Sequence, residues 1–112
     1  MEDCIFCKIA GGEIPCNKVY EDEAVLAFHD INPAAPTHVL VIPKTHVQDI
    51  TKVEDMEIVS AVMAAVQKIV HELGLGQDGF RLVVNTGKNG QQTVPHLHFH
   101  IIGGRMMSWP PG

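Results

Sequence analysis

Near the end of the chain, histidine alternates with large apolar residues: His96, Leu97, His98, Phe99 and His100, then Ile101 and Ile102. A repeat of two is the period of a β-strand, so three imidazoles are expected on one face. Leu97, Phe99 and Ile101 would anchor the other face in a core. At about 3.3 Å rise per residue, neighbouring histidines stand about 7 Å apart and the outer pair about 13 Å. One metal ion with bonds of about 2.1 Å can take two of these imidazoles but hardly all three. The run therefore implies a division of labour, or a ligand laid along the strand. Imidazole is also the side chain best poised to be a neutral nucleophile near pH 7. A ring nitrogen that attacks phosphorus leaves a nucleotidyl-imidazole, which water then cleaves. For this the other nitrogen must be held as N–H, typically by a backbone carbonyl. His98, flanked on its own face by two more histidines, is the natural nucleophile, and His100 could contact phosphate oxygens.

The remaining parts of such a site have candidates. A leaving group needs a proton or a hydrogen bond, and the Thr93 hydroxyl stands just before the histidine run. Its loop, Gly90-Gln91-Gln92-Thr93, could aim backbone N–H groups at a phosphate. Asp30 could accept from both ribose hydroxyls, or could be a turn residue ahead of Asn32-Pro33. A base needs an apolar slot, which Phe6, Ile9, Phe28, Ile31 and Leu40 could line. No side chain stands out as a reader of a base edge, so broad purine tolerance is expected. Cys4-x-x-Cys7 offers two thiolates, and His46 and His96 are the best partners to complete a tetrahedral zinc set. A redox pair or two plain helix cysteines are the alternatives for that motif.

These residues must be positioned by few elements. A short helix is expected over 4–10, capped by Asp3 and ended by Gly11-Gly12. Segments 18–21 and 24–30 read as a β-hairpin, 37–42 as a largely apolar and so central strand. Ile58, Val62, Val66, Ile69 and Leu73 recur at helical steps, predicting a long helix over 54–73 stopped by Gly74. Strands follow over 80–85 and 96–102, with a glycine-containing loop between them. Without βαβ alternation, the fold class is α+β with a mostly antiparallel sheet.

The chain has 112 residues, of which 46% are hydrophobic and 19% charged, so one domain over 1–112 is expected. A net charge of −5 with no cluster of Lys or Arg argues against polymeric nucleic acid, which requires many neutralised phosphates. A mononucleotide asks for far less. The acidic start, Met1-Glu2-Asp3, carries no apolar signal segment, and the apolar run 39–43 is too short for a bilayer. Three cysteines, Cys4, Cys7 and Cys16, then read as reduced thiols or metal ligands, and the expected compartment is the cytoplasm.

The motifs His-φ-His-φ-His-φ-φ at 96–102, Glu13-Ile14-Pro15, Ala27-Phe28-His29-Asp30-Ile31, Pro36-Thr37-His38 and Val41-Ile42-Pro43-Lys44 resemble the histidine-triad (HIT) family, in its Hint branch. So do Ile5-Phe6, Val84-Asn85, Gly103-Gly104-Arg105 and the ending Trp109-Pro110-Pro111-Gly112. The resemblance covers nearly the whole chain. It implies a five-stranded antiparallel sheet with one long and one short helix, joined in a homodimer into ten strands. It implies binding of purine mononucleotides and hydrolysis of nucleoside phosphoramidates, with His98 as the nucleotidylated residue and His100, His96 and His38 completing the cluster. Thr93 stands where the family commonly has Ser. Asp30 would hold the ribose, Phe6, Ile9, Phe28, Ile31 and Leu40 the base, and Asn85, Gln91, Gln92 and Thr93 the phosphate region. Some members bind zinc through the positions of Cys4, Cys7, His46 and His96, which implies a structural zinc here. The tail 103–112 would lie near an active site, with Trp109 reaching that of the partner. Gln91 replaces a more usual Gly, and Pro95 precedes the triad. Within the family, a dinucleoside polyphosphate hydrolase or a nucleotidyl transferase is an alternative, the latter disfavoured because it usually has Gln at the position of His100. A nucleotide-binding scaffold that regulates partners is a third reading.

Overall fold

In the computed structural model, which describes residues 3–112, the elements follow in this order: α1 (Ile5–Ala10), β1 (Lys18–Glu21), β2 (Val25–His29), β3 (Thr37–Pro43), a 3-10 turn (Ile50–Lys52), α2 (Glu57–Glu72), β4 (Phe80–Val84) and β5 (Phe99–Gly103). Met1 and Glu2 of the acidic start lie outside the described residues. All strand pairs are antiparallel, in the order β1-β2-β3-β5-β4. The expected α+β class, with one long and one short helix, is therefore found. Among the described residues no helix is long and apolar enough to cross a membrane.

The sheet is buried on both sides at its centre. On one face Val25, Ala27, Val39, Val41, Phe99 and Ile101 pack with Val62, Ala65, Val66 and Ile69 of α2. On the other, Leu26, Phe28, Leu40 and Ile42 pack with Cys4 and Phe6 from the α1 segment. Alternation along β2 and β3 thus feeds two cores, which is why both strands read as nearly continuous apolar runs. Burying one such Leu or Ile fully contributes about 1.5–3 kcal/mol. The second face also presents His38, which is 7% exposed, and His98, at 5%. One face is therefore structural, and the other carries the histidines.

Several element ends shift by one residue from expectation, and three starts differ in ways that bear on the site. The cap of α1 is Cys4, whose Sγ accepts from the Cys7 N–H at 3.3 Å, and not Asp3. A thiol takes the place of a carboxylate because Cys4 lies inside the second core. Helix α2 begins at Glu57, not 54, because Asp55 accepts the Glu57 N–H at 3.0 Å and so opens the first turn there. Strand β5 begins at Phe99, not at 96. Pro95 has no N–H to give, the His96 N–H turns back to the Val94 carbonyl at 2.9 Å, and the Leu97 N–H goes to Val47 at 2.6 Å. Residues 96–98 thus enter through a bend at His96 and lie outside the ladder. Even so, Leu97, Phe99 and Ile101 share the α2 face, as the alternation demands.

Candidate active site

The delayed start of β5 has a chemical effect. Freed from the ladder, the His96 carbonyl accepts from Nδ1–H of His98 at 2.7 Å. That bond fixes the tautomer, so the lone pair of His98 is at Nε2. His98 lines a cavity of about 310 Å³ together with His100, Thr93, Asp30, Leu40, Phe28, Phe6, Ile9 and Ile31. Its ring meets the edge of Phe6 at 5.0 Å and lies 5.1 Å from His100, centroid to centroid. Burial holds its conjugate acid below the ordinary histidine range. An uncharged imidazole with an open nitrogen is what nucleophilic attack requires.

A second chain of bonds orients His100. The backbone N–H of Ala34 donates to Nδ1 of His38 at 3.0 Å. Nε2 of His38 therefore carries the proton and donates to Nδ1 of His100 at 2.8 Å. Nε2 of His100 is in turn left as a donor. Burial first, then neighbouring His98 and His38, lowers the His100 pKa to about 4. Asp30 splits its carboxylate: Oδ1 accepts the Asn32 N–H at 2.8 Å in a turn, and Oδ2 lies 3.5 Å from Nε2 of His38. Asp30 is thus the turn residue that was one alternative above, and it also lines the cavity.

His96 faces the same side as His98 but another group. Its Nδ1 is 3.3 Å from Sγ of Cys4, 3.6 Å from Sγ of Cys7 and 3.2 Å from Nδ1 of His46. Sγ of Cys7 is 3.3 Å from Nδ1 of His46, and all four donor atoms lie within 4.8 Å of one another. A tetrahedral ion bonded at about 2.1 Å to nitrogen and about 2.3 Å to sulfur spaces its donors about 3.4–3.8 Å apart. The set thus fits zinc. Nε2–H of His96 donates to the Pro43 carbonyl at 2.8 Å, which leaves Nδ1 as the lone pair for a metal. Asp30, His38 and His100 also converge within 4.8 Å. There the backbone does the reverse: Ala34 occupies the outer nitrogen of His38 and forces a proton onto the inner one. The first cluster is built for a cation, and the second for passing hydrogen bonds. The three cysteines form no disulfide.

Residues 11–107 match the HIT domain. The chain belongs to the HIT family. It is 48% identical to the 14 kDa zinc-binding protein of Zea mays over 96% of this chain and 87% of that one. It superposes on a HIT family hydrolase from Legionella pneumophila with a TM-score of 0.95 at 48% identity, covering 98% of this chain and all of the other. A histidine triad protein from Clostridium difficile gives 0.94 at 51% identity, with 96% of each chain covered.

In this HIT protein the residues expected at a base slot converge on the cavity, with Ile31 at its mouth, 92% exposed. Thr93 is at the exposed rim. Asn85, Gln91 and Gln92 do not line the cavity. Asn85 donates to the Gly90 carbonyl at 2.6 Å. The Gln92 amide donates to Gln48 and Val94 carbonyls at 2.8 and 3.1 Å and accepts from Gly87. Both brace the loop from within. Gly90 is required there, since a Cβ would come within 2.8 Å of the Thr86 nitrogen. Sequence reasoning missed Ile5, Ile14, Pro15, Cys16, Asn17, His29 and Val94 as lining residues. The clue was available: a segment leading into β1 must cross the face on which Phe28 stands. The tail turns elsewhere. The Arg81 guanidinium sits 5.7 Å from the Trp109 ring and bonds the Ser108 carbonyl, and Trp109 stays 81% exposed, away from its own cavity.

Proposed function

We propose that this protein hydrolyses purine nucleoside 5′-phosphoramidates through a transient bond between phosphorus and His98. The observation that carries the reading is the 2.7 Å bond from His98 to the His96 carbonyl, which leaves Nε2 open in a cavity of nucleotide size. Nε2 of His98 attacks phosphorus, and the P–N bond to the amine breaks. Thr93 hydrogen-bonds the departing nitrogen, and the proton that the amine takes away reaches it from solvent through that hydroxyl. Nε2–H of His100, backed by His38, holds a phosphoryl oxygen as its charge grows. Water then cleaves the P–Nε2 bond, which releases the nucleotide and restores the imidazole. Asp30 takes the ribose hydroxyls, and the base lies against Phe6, Ile9, Phe28, Ile31 and Leu40. Asn85, Gln91 and Gln92 serve the phosphate region by shaping its loop.

Cys4, Cys7, His46 and His96 would hold a structural zinc; the name of the maize relative and the donor geometry both support it. The ion would supply cross-linking, apart from the substrate cavity. The working unit is a homodimer joined along β4. Phe80, Leu82 and Val84 pair in register with Gly103, Ile101 and Phe99, so they continue the α2 face, yet they are 36–39% exposed. Such a strip on an edge strand needs a cover.

Adenosine 5′-phosphoramidate should be turned over, and His98→Ala should lose about 10³-fold or more in kcat with its fold intact. Mass spectrometry after mixing with a slow substrate should find a nucleotide mass on the peptide bearing His98. Wild-type rates in the variant, or the label on another peptide, would reject the assignment.

A further inference from the structure

We infer that Cys4 and Cys7 are a thiol–disulfide modification site. A low-molecular-weight disulfide oxidises the pair, and the bond that forms dismantles the four-donor set. The inference rests on the zinc reading above and goes beyond it to the redox chemistry of the same sulfurs.

The start of α1 turns the two sulfurs toward each other. Cys4 is the cap, extended at φ −86° and ψ 112°, and its Sγ accepts the Cys7 N–H at 3.3 Å. That bond brings the cap's sulfur over the first turn, at whose end Cys7 stands. The two Sγ atoms lie within 4.8 Å of each other, and a disulfide asks for about 2.05 Å. The helix has six residues and is held from outside, by Phe6 in the core, so a small shift of its first turn closes the gap. Cys16 is not among the four donors.

Exposure assigns the order of attack. Cys4 is 8% exposed and Cys7 is half-buried, so a disulfide arriving from solvent meets Cys7 first. Sγ of Cys7 attacks one sulfur of the reagent, expels a thiolate and is left in a mixed disulfide. Sγ of Cys4 then attacks Sγ of Cys7, which forms the Cys4–Cys7 bond and expels the second thiolate. The protein sulfurs lose two electrons and the reagent gains them. The expelled thiolates take up the protons of the two cysteines or, where these were already thiolates, protons from water. A thiolate ligates metal and a disulfide does not. The new bond leaves His46 and His96 as the only donors, too few for a tetrahedral ion. Phe6 lies between the two cysteines, and its ring meets the edge of His98 at 5.0 Å and lines the cavity. Closing the pair therefore shifts a wall of the base slot as well.

The test treats the whole protein, purified from zinc-supplemented cells, with oxidised glutathione. Intact mass, peptide maps, zinc freed to a metal-sensitive dye and turnover of adenosine 5′-phosphoramidate are followed together. Expected are a loss of two hydrogens per chain and a Cys4–Cys7 cross-link, in wild type and in Cys16→Ser alike. One zinc should be freed for each bond formed, and kcat/KM should fall about tenfold or more. Dithiothreitol with added zinc should restore mass and rate. A mixed disulfide that persists on Cys7, a cross-link to Cys16 or an unchanged mass overturns the site. Zinc retained after cross-linking overturns the effect on the donor set. The same cross-link in protein that never held zinc upholds the disulfide and rejects the zinc reading. A rate untouched by oxidation overturns the coupling to the base slot. No turnover by the reduced protein rejects the hydrolase reading, while mass and zinc still decide on the cysteines.

Discussion

Three histidines in one short run are held in different ways, and the backbone decides how. Each ring is fixed by a main-chain group: Pro43 for His96, the His96 carbonyl for His98, Ala34 through His38 for His100. The sequence shows the residue types and their shared face, but not these tautomers, because they depend on carbonyls and N–H groups brought from 43 and 34. The same limit explains Gln92. Its amide suits a phosphate loop in sequence, but closing that loop costs three backbone groups their partners, and Gln92 supplies them. Gln91 illustrates strain at one residue. Its φ of 62° lies where glycine is at ease and other residues pay about 1 kcal/mol. Gln91→Gly should raise stability by up to about 1 kcal/mol in urea unfolding, with the loop unchanged. His100 makes the folded state sensitive to acid. Its pKa falls from an ordinary 6.5 to about 4 on folding, so between those values the unfolded chain binds more protons. Stability must then fall as the pH drops from about 6.5 to about 4. His100→Gln should flatten that part of the profile when melting temperatures are compared from pH 7 to pH 4.

At the scale of elements, the apolar periodicities were enough to place the strands and the long helix, because burial on two faces leaves little freedom in register. Boundaries were harder, since a start is set by single hydrogen bonds such as Asp55 to Glu57 or by the missing N–H of Pro95. Helix α1 is the least self-sufficient element. Six residues cannot hold a helix alone, so its position depends on Phe6 in the core and on Cys4 and Cys7. Its ends bracket Phe6, which meets the edges of both His96 and His98. If the set holds zinc as proposed, metal analysis should find about one ion per chain in the wild type and none in Cys4→Ser/Cys7→Ser. The double substitution should also lower the melting temperature by about 10 °C, the scale of a few kcal/mol in a domain of this size. Metal content unchanged in the double variant would remove the site.

For the whole molecule, the two faces of the sheet divide the work between α2, which closes a core, and a cavity open to nucleotides. The apolar surface does not stop where α2 stops, and the strip on β4 is the reason to expect a second copy. Leu82→Glu should convert a dimer to a monomer in sedimentation, and a wild type that sediments as a monomer would remove the interface. The sequence hinted at this strip only through alternation that reads equally well as ordinary core. The double duty of His96 reaches furthest. Its ring belongs to the proposed zinc set while its carbonyl orients the His98 ring, so stripping a bound ion should unsettle the open nitrogen of His98 two residues on. In a chelator assay the proposed hydrolase would then pass for a metalloenzyme, fading at the pace of ion release, even with the metal set apart from the substrate cavity.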